Sequence, residues 1–200
     1  MALLQPTLFA TETPSFDGHP KLEATELADG AWFAYAPCWL SGDQEVFDAV
    51  HDTAKWRSQN RPMYDRIVEV PRLNASLSRQ GGGHPILPEI ADWLEGRYGS
   101  PFSKLTANWY RDGRDSVAPH GDQIVRKLDT SIMAILSLGA RRRFVLSQVA
   151  GPGSVRLDVG EGDLLVMGGT IQRTWRHAVP KTAKPVGPRI CVMFRPPWLG

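Results

Sequence analysis

Three side chains in this sequence have the types and spacing of a metal site: His120, Asp122 and His177. In an extended segment the residues at i and i+2 point to the same side, so one strand would present His120 and Asp122 together. A later strand could bring His177 to the same point. Two imidazoles and one carboxylate bind non-haem Fe(II) in oxygenases and leave coordination positions open. The pattern predicts an Fe(II) site; the alternative is a histidine satisfied by a core hydrogen bond and an aspartate in a turn.

Two arginines, Arg189 and Arg195, bracket an apolar segment that follows His177. Their separation is an even number of residues, so on a strand they share one face with Cys191 and Met193. Guanidinium groups bind carboxylates in a planar, bidentate geometry. A small dicarboxylate such as 2-oxoglutarate has two ends to hold, and this pair could hold both. The alternative is two surface arginines that flank an apolar strand.

Upstream of the first histidine, Asn108 and Tyr110 also fall on one face of a predicted strand. Their amide and phenol can donate hydrogen bonds to a carboxylate. The alternative is a strand beside a turn, with the tyrosine in the core.

Together these residues resemble the AlkB family of Fe(II)/2-oxoglutarate-dependent dioxygenases, whose signature runs N-x-Y, H-x-D, H and R-x5-R. The signature stands here, in order, as Asn108 and Tyr110, His120 and Asp122, His177, and Arg189 and Arg195. The resemblance covers residues 100–196. It implies that the first histidine, the aspartate and the second histidine are the metal ligands and catalytic residues. It also implies that the other four bind 2-oxoglutarate, which the enzyme uses as co-substrate with Fe(II) and O2.

The resemblance further implies an enzyme of DNA repair that oxidatively demethylates alkylated nucleobases in DNA or RNA, releasing formaldehyde, succinate and CO2. Single strands should be favoured, because a paired base must first be flipped out of the duplex. Tyr64 lies where the family builds a nucleotide-recognition lid and is our candidate for stacking on the base; core packing is the alternative. Backbone phosphates need lysine or arginine. The arginines available near the lid and in a basic run are Arg61, Arg66, Arg72, Arg79 and Arg141–Arg143.

The sequence departs from the family pattern at two places. Cys191 and Met193 stand where the family often has Asn and Thr, and that Asn helps to hold the co-substrate. We therefore expect a lowered affinity for 2-oxoglutarate. Gln123 and Ile124 follow the H-x-D motif where many nucleic-acid demethylases have acidic residues, one of which contacts the base. Without a carboxylate there, discrimination between lesions should be broad.

Two other functions remain open. One is a related dioxygenase that acts on a protein or a small metabolite. The other is a binding module that keeps the fold without turnover, which is disfavoured because the three metal ligands and both arginines are present. Formaldehyde release from methylated oligonucleotides, compared with uncoupled succinate formation, would separate the two enzymatic functions.

Composition indicates the general class of protein. Two hundred residues with 42% hydrophobic content fit one domain with a sizeable core. The net charge of +2 does not by itself argue for nucleic acid. Two cysteines give no disulfide framework, which favours a reducing cytosol. The chain has no apolar run of the ~20 residues that a membrane span needs and no recognisable signal peptide, so we expect a cytoplasmic monomer without membrane contact.

The predicted elements arrange this chain as an α+β, mostly β domain. Helices are expected at about 42–56, with Ser41 and Gln44 as a capping box, and at about 87–97, with Pro88 near its start. Strands are expected at 65–70, where Pro71 ends the strand, and at 105–111, 131–138, 143–149, 155–159, 163–167, 173–179 and 189–194, with 155–159 and 163–167 joined as a hairpin.

Two helices followed by many short strands predict helices packed on a double-sheet jelly roll. The resemblance implies the same fold, a double-stranded β-helix with two N-terminal supporting helices. Within a single domain over 1–200, the predicted parts are an N-terminal extension at 1–30, a nucleotide-recognition lid at about 56–85 and the catalytic core at 100–196.

Overall fold

The structure, a computed structural model, describes residues 13–63, 66–79, 82–122 and 128–197. Across these ranges the chain forms three α-helices and fourteen strands. The helices are α1 (Asp43–Thr53), α2 (Ile86–Tyr98) and the short α3 (Ile171–Thr174). The strands are β1 (Ser15–Phe16), β2 (Thr25–Glu26), β3 (Ala31–Ala36), β4 (Leu40–Ser41), β5 (Arg57–Met63), β6 (Arg66–Leu77), β7 (Lys104–Tyr110), β8 (Val117–His120), β9 (Ser131–Gly139), β10 (Arg142–Gln148), β11 (Ser154–Val159), β12 (Asp163–Gly169), β13 (Trp175–Val179) and β14 (Arg189–Arg195). Among the described residues, no helix has the length and apolar content to cross a membrane.

Two antiparallel sheets face each other and form the body of the fold. The larger has eight strands in the order β2-β3-β12-β9-β14-β7-β6-β5, and the smaller has four in the order β11-β10-β13-β8. Apolar side chains from both sheets fill the space between them, including Met133 and Ile135 from the larger sheet and Phe144 and Leu146 from the smaller. This arrangement confirms the predicted jelly roll.

The two N-terminal helices cover the outer face of the larger sheet. Val46 and Val50 of α1 and Ile90 and Leu94 of α2 are fully buried in a second core against that face. These residues recur at a spacing of four, which puts them on one side of each helix. The structure therefore confirms both helices and their supporting position.

Strand β14 divides its side chains between the two cores. Ile190, Val192 and Phe194 pack under the helices, whereas Cys191 and Met193 face the space between the sheets. This is the alternation that a strand imposes on successive residues. The face that carries Cys191 and Met193 is the one on which the sequence places the two arginines.

The start of α1 differs from the predicted capping box of Ser41 and Gln44. Gly42 precedes the helix with a φ of 69°, in the left-handed region, and its first turn has no side-chain cap. Ser41 pairs instead with Ser15 in a two-stranded sheet, and Gln44 donates to Asp48 along the helix. The capping-box prediction is wrong because pairing with a distant segment holds Ser41 in a strand.

From Arg66 onward, the predicted short strand at 65–70 is part of a longer strand, β6, which continues past Pro71. Pro71 lies opposite an irregularity in the pairing with β5, between Ser58 and Asn60. On the other side, β7 pairs with β6 only from Leu73 onward. A residue without an N–H is tolerated there because neither neighbouring strand requires its hydrogen bond. The prediction that Pro71 ends the strand is therefore wrong.

The predicted hairpin between β11 and β12 is also wrong. β11 pairs with β10 in the smaller sheet, whereas β12 pairs with β3 and β9 in the larger one. The turn between them passes from one sheet to the other. The buried carboxylate of Asp163 holds this turn by accepting hydrogen bonds from the Gly160 N–H, the Cys38 N–H and the Tyr35 hydroxyl. A short turn between two strands cannot by itself reveal that its strands belong to different sheets.

The sequence analysis does not predict β2, β3, β5 or β8, and two of these, β3 and β8, contribute most to the sheets around the site. β3 follows the predicted extension at 1–30 and pairs with β12 along its whole length. β8 has four residues, one of them a proline, which is too short for a periodic pattern. Its pairing with β13 places His120 directly opposite His177.

Candidate active site

The three predicted metal ligands lie together at one end of the smaller sheet. His120 ends β8, His177 lies opposite it on β13, and their ring centroids are 4.2 Å apart. Asp122 follows two residues beyond the end of β8. One ligand atom from each of the three side chains lies within 4.8 Å of the other two. His177 is buried while the other two are partly exposed, so the cluster opens on the β8 side.

The surroundings of the two histidines orient their rings. Nδ1 of His120 lies 2.9 Å from the carbonyl oxygen of Ala118. A carbonyl can only accept, so Nδ1 carries the proton and Nε2 keeps its lone pair for a metal. The ring of His177 stacks on Phe144 with an interplanar angle of 14°. Both rings are therefore held by contacts that do not use a metal-binding nitrogen.

Asp122 is held at both its backbone and its carboxylate. Its N–H donates to Oε1 of Gln172 at 2.8 Å, and its Oδ2 accepts from Nε of Arg195 at 2.9 Å. Burial alone would raise the pKa of Asp122, but the charges of Arg195, His177 and His120 outweigh it and lower the pKa below its usual value. The carboxylate is therefore ionised at neutral pH. Two imidazoles and one ionised carboxylate fit an Fe(II) ion with open positions.

Acid is expected to destabilise the metal-free protein through His177. Burial, and then the nearby charge of His120, lowers the pKa of His177 from 6.5 to about 3. Between these values the unfolded chain binds a proton that the folded protein does not, so stability is present above about pH 6.5 and falls toward pH 3. One proton corresponds to a slope of about 1.4 kcal/mol per pH unit. Denaturant unfolding at several pH values should show a shallower slope for His177→Gln, and equal slopes for both proteins would contradict the assignment.

Arg189 is a buried guanidinium, and some of its N–H donors have no acceptor among the described residues. It is 1% exposed, and its Nη2 donates to Oγ of Ser137 at 2.8 Å. Its Nε and Nη1 are buried without a hydrogen-bond partner in the described part of the chain. Unpaired buried donors are costly, and a carboxylate is the acceptor that a guanidinium matches best. The geometry of Arg189 therefore suits one end of a dicarboxylate.

The residues predicted to accompany Arg189 line the same face. Tyr110 lies opposite it in the strand pairing, and Asn108 lies opposite Cys191. Burial raises the pKa of Tyr110, so its hydroxyl stays protonated and can donate. Arg195 stands at the other end of the strand, where it contacts Asp122. The structure thus brings the four predicted co-substrate residues onto one surface that ends at the metal-ligand cluster.

Arg72 is a buried arginine whose position the sequence does not reveal. It is 7% exposed, and its Nε and Nη1 have no partner among the described residues. Its charge adds to the lowering of the pKa of His177 and opposes the larger effect of burial on the pKa of Tyr110, which places Arg72 beside the site. The sequence analysis groups it with lid arginines for phosphate binding, but its burial is that of a residue directed inward.

Gln172 and Ser137 also have roles that the sequence analysis misses. Gln172 supports Asp122 from α3, and Ser137 supports Arg189 from β9. Both are polar side chains at most 2% exposed. For Ser137 the available signal was a polar residue inside an apolar segment, since buried polar groups require partners; Gln172 stands among polar residues and gave no such signal.

Several arginines that the sequence offers for phosphates are already paired. Arg79 forms ion pairs with Asp92 and Glu95 on α2. In the basic run, Arg141 pairs with Glu161 and Asp163, Arg142 donates to the carbonyls of Asp112, Asp115 and Pro180, and Arg143 pairs with Asp158. These side chains are therefore not free cations. Tyr64, Gln123 and Ile124 lie outside the described residues, and the side chains of Arg61 and Arg66 do as well.

Known proteins resemble this chain in sequence and in fold. The model of the 2OG-Fe(II) oxygenase superfamily matches residues 57–195. The human alpha-ketoglutarate-dependent dioxygenase alkB homolog 3 is 33% identical over 75% of this chain and 60% of its own length. The bovine protein of the same name is 29% identical over 78% of this chain and 62% of its own length. The DNA oxidative demethylase ALKBH2 of Arabidopsis thaliana is 28% identical over 94% of this chain and 74% of its own length.

A solved structure, that of OsALKBH1, superposes with a TM-score of 0.57 at 15% identity and covers 88% of this chain and 100% of the other. At that identity the likeness concerns the fold. The chain spans about 60% of the length of the two mammalian relatives.

Proposed function

Because the chain belongs to the 2OG-Fe(II) oxygenase superfamily, and within it to the AlkB family of Fe(II)/2-oxoglutarate-dependent dioxygenases, we propose that it oxidatively demethylates alkylated nucleobases in DNA or RNA. Members of this family use Fe(II), 2-oxoglutarate and O2. The name of one relative describes a DNA oxidative demethylase, and that relative aligns with 94% of this chain. This likeness supports a nucleic-acid substrate.

One observation carries the catalytic part of the proposal. A cluster of two histidines and one aspartate shares a surface with Arg189, whose buried Nε and Nη1 have no acceptor in the described part of the chain. The binding of 2-oxoglutarate to a metal would use both features: metal ligands that leave coordination positions open, and a cation for the carboxylate at the far end of the co-substrate. We assign His120, Asp122 and His177 as the iron ligands on this basis.

The remaining residues would bind and orient the co-substrate. Arg189 would hold the distal carboxylate, and Arg195 would lie nearer the keto-acid end while it orients Asp122. The hydroxyl of Tyr110 and the amide of Asn108 would donate to the bound carboxylates. When bound, Fe(II) with 2-oxoglutarate and O2 supplies the oxidation: one oxygen atom enters succinate as CO2 leaves, and the other hydroxylates an N-methyl group, which departs as formaldehyde.

On the substrate side, the proposal uses Arg72 and Tyr64. The inward guanidinium of Arg72 has donors for the acceptor atoms of a base or a phosphate. Tyr64 falls within about 56–85, the range that we propose as the nucleotide-recognition lid, and a tyrosine can stack on a flipped base. Single strands should react faster than duplexes, because they avoid an unpairing cost of a few kcal/mol.

A panel of methylated single- and double-stranded oligonucleotides tests the substrate. Formaldehyde release should accompany succinate formation, and single strands should react faster. Tyr64→Ala should raise the Michaelis constant for an oligonucleotide and leave the uncoupled consumption of 2-oxoglutarate near its original rate. Consumption of 2-oxoglutarate without formaldehyde from any oligonucleotide would favour a protein or small metabolite as substrate. The ion pairs of Arg79 and Arg141 are the observation that keeps this second function open, since arginines already paired with carboxylates are less available for phosphates.

Replacing Cys191 with asparagine is expected to tighten 2-oxoglutarate binding. Cys191 lies between Asn108 and Ser137 on the neighbouring strands, in the middle of the proposed co-substrate surface. A thiol donates only weakly, whereas an amide adds a hydrogen bond worth about 0.5–1.5 kcal/mol, or roughly two- to tenfold in affinity. Calorimetry should show this gain for Cys191→Asn and none for the exposed control Cys38→Asn. An unchanged or weaker affinity in the first variant would contradict the placement of Cys191.

A further inference from the structure

We propose that Gln172 is a positioning residue for the metal site, and that its amide fixes the backbone of Asp122 so that the carboxylate points at the two histidines. This inference rests on the proposed role of Asp122 as an iron ligand. Gln172 belongs to α3, the short helix that links β12 to β13. Its side chain contacts the backbone N–H of Asp122 and the sulfur of Met133, so its effect on the metal site would pass through Asp122.

The hydrogen bond of Gln172 satisfies a group that strand pairing does not reach. β8 pairs with β13 as far as His120, and Asp122 lies beyond that point. The N–H of Asp122 donates to Oε1 of Gln172 at 2.8 Å, and the side chain of Gln172 is inside the protein with 2% exposure. Since the N–H must face an acceptor, the amide oxygen of Gln172 turns toward it. The amide nitrogen then faces the sulfur of Met133 at 2.8 Å.

The backbone of α3 also packs closely against the segment from His120 to Asp122. A Cβ on Gly121 would lie 2.3 Å from the carbonyl oxygen of Gln172. The residue between His120 and Asp122 must therefore be glycine, because any side chain would collide with this backbone. The side chain and the main chain of Gln172 therefore hold the His120–Asp122 segment from one side. His177 follows α3 by three residues, so one short stretch carries a ligand and also positions a second one.

This arrangement predicts how metal affinity depends on the amide. Groups that support a ligand typically contribute 10- to 100-fold in metal affinity. Gln172→Met keeps the length and approximate volume of the side chain but offers no acceptor of comparable strength, so Asp122 would lose its fixed backbone. Gln172→Glu keeps an acceptor oxygen. Met133→Leu removes the sulfur on the other side of the amide and leaves the Asp122 contact in place.

The experiment titrates metal-free protein with Mn(II) and follows free Mn(II) by electron paramagnetic resonance. Wild type, Met133→Leu and Gln172→Glu should bind within about threefold of one another, and Gln172→Met should bind at least ~10-fold more weakly. Equal affinity of Gln172→Met and wild type would overturn the inference. Failure of the wild type to bind Mn(II) would instead overturn the proposed metal site itself.

A thermal measurement covers the case in which Gln172→Met is merely less stable. The rise in melting temperature on adding Mn(II) reports affinity by mass action, whatever the stability of the metal-free form. A smaller rise in Gln172→Met than in Met133→Leu supports positioning. A lower melting temperature with an unchanged rise means that Gln172 is structural only and overturns the inference. Gln172→Asn, which withdraws the amide oxygen by one methylene, should behave as Gln172→Met does and serves if the latter does not fold.

Discussion

Replacing Asp122 with alanine is expected to abolish 2-oxoglutarate consumption and to weaken metal binding by more than about 100-fold. The site would lose its one carboxylate ligand, and that loss should exceed the roughly 10- to 100-fold effect of losing a group that only supports a ligand. The charge of Arg195 beside it keeps this carboxylate ionised. Because Asp122 lies beyond the end of β8 and outside both cores, the variant should still fold. Succinate formation and Mn(II) titration measure the two effects.

Asp129→Ala is a matched control for this experiment. Asp129 is an exposed carboxylate that forms an ion pair with Arg173. Asp129→Ala therefore also removes one aspartate carboxylate, but from the surface and not from the metal-ligand cluster. It should turn over 2-oxoglutarate as the wild type does. If Asp122→Ala produced succinate at the wild-type rate with controlled Fe(II), the iron would have to bind elsewhere.

Replacing Arg189 with methionine is expected to weaken 2-oxoglutarate binding by more than tenfold. Losing a buried charge-assisted pair costs about 2–5 kcal/mol. The free protein should respond differently, because methionine fills a similar volume and removes a buried charge whose Nε and Nη1 have no partner in the described part of the chain. Its free energy of unfolding without co-substrate should fall by less than about 1 kcal/mol, or rise. Calorimetry on the Mn(II)-loaded protein and denaturant unfolding measure these quantities.

The control for Arg189→Met is Arg143→Met, which removes a half-exposed arginine paired with Asp158 on the outer side of the smaller sheet. It should leave co-substrate affinity unchanged. An Arg189→Met variant with wild-type affinity would show that another group holds the distal carboxylate. Loss of affinity in both variants would indicate a general effect on folding and not a specific contact.

Local patterns predicted the elements best where they agreed with the tertiary structure. The apolar stripe with Val46 and Val50 predicted α1, because a helix buries residues at that spacing whatever it packs against. The same sequence misled at the cap of α1, where Ser41 joined a strand with a partner far away in the chain. At Pro71 the rule that proline ends a strand failed because the irregular pairing left no hydrogen bond for it to break.

Sheet membership could not be read from neighbouring strands. β11 and β12 follow each other closely, yet they belong to different sheets. A jelly roll folds its chain back and forth between two sheets, so the partner of each strand is set by the global topology. The turn residues between them look the same in a hairpin and in such a crossing.

By itself, the sequence determined which residues could do chemistry. The types, order and alternation of His120, Asp122, His177 and the Arg189–Arg195 strand follow from side-chain chemistry and the two-residue repeat of a strand. Only the tertiary structure decided that β8 pairs with β13, that Gln172 reaches Asp122, and that Arg189 is buried with donors to spare. These depend on contacts between segments far apart in the chain, and hydrogen bonds between such segments leave no periodic trace in the sequence.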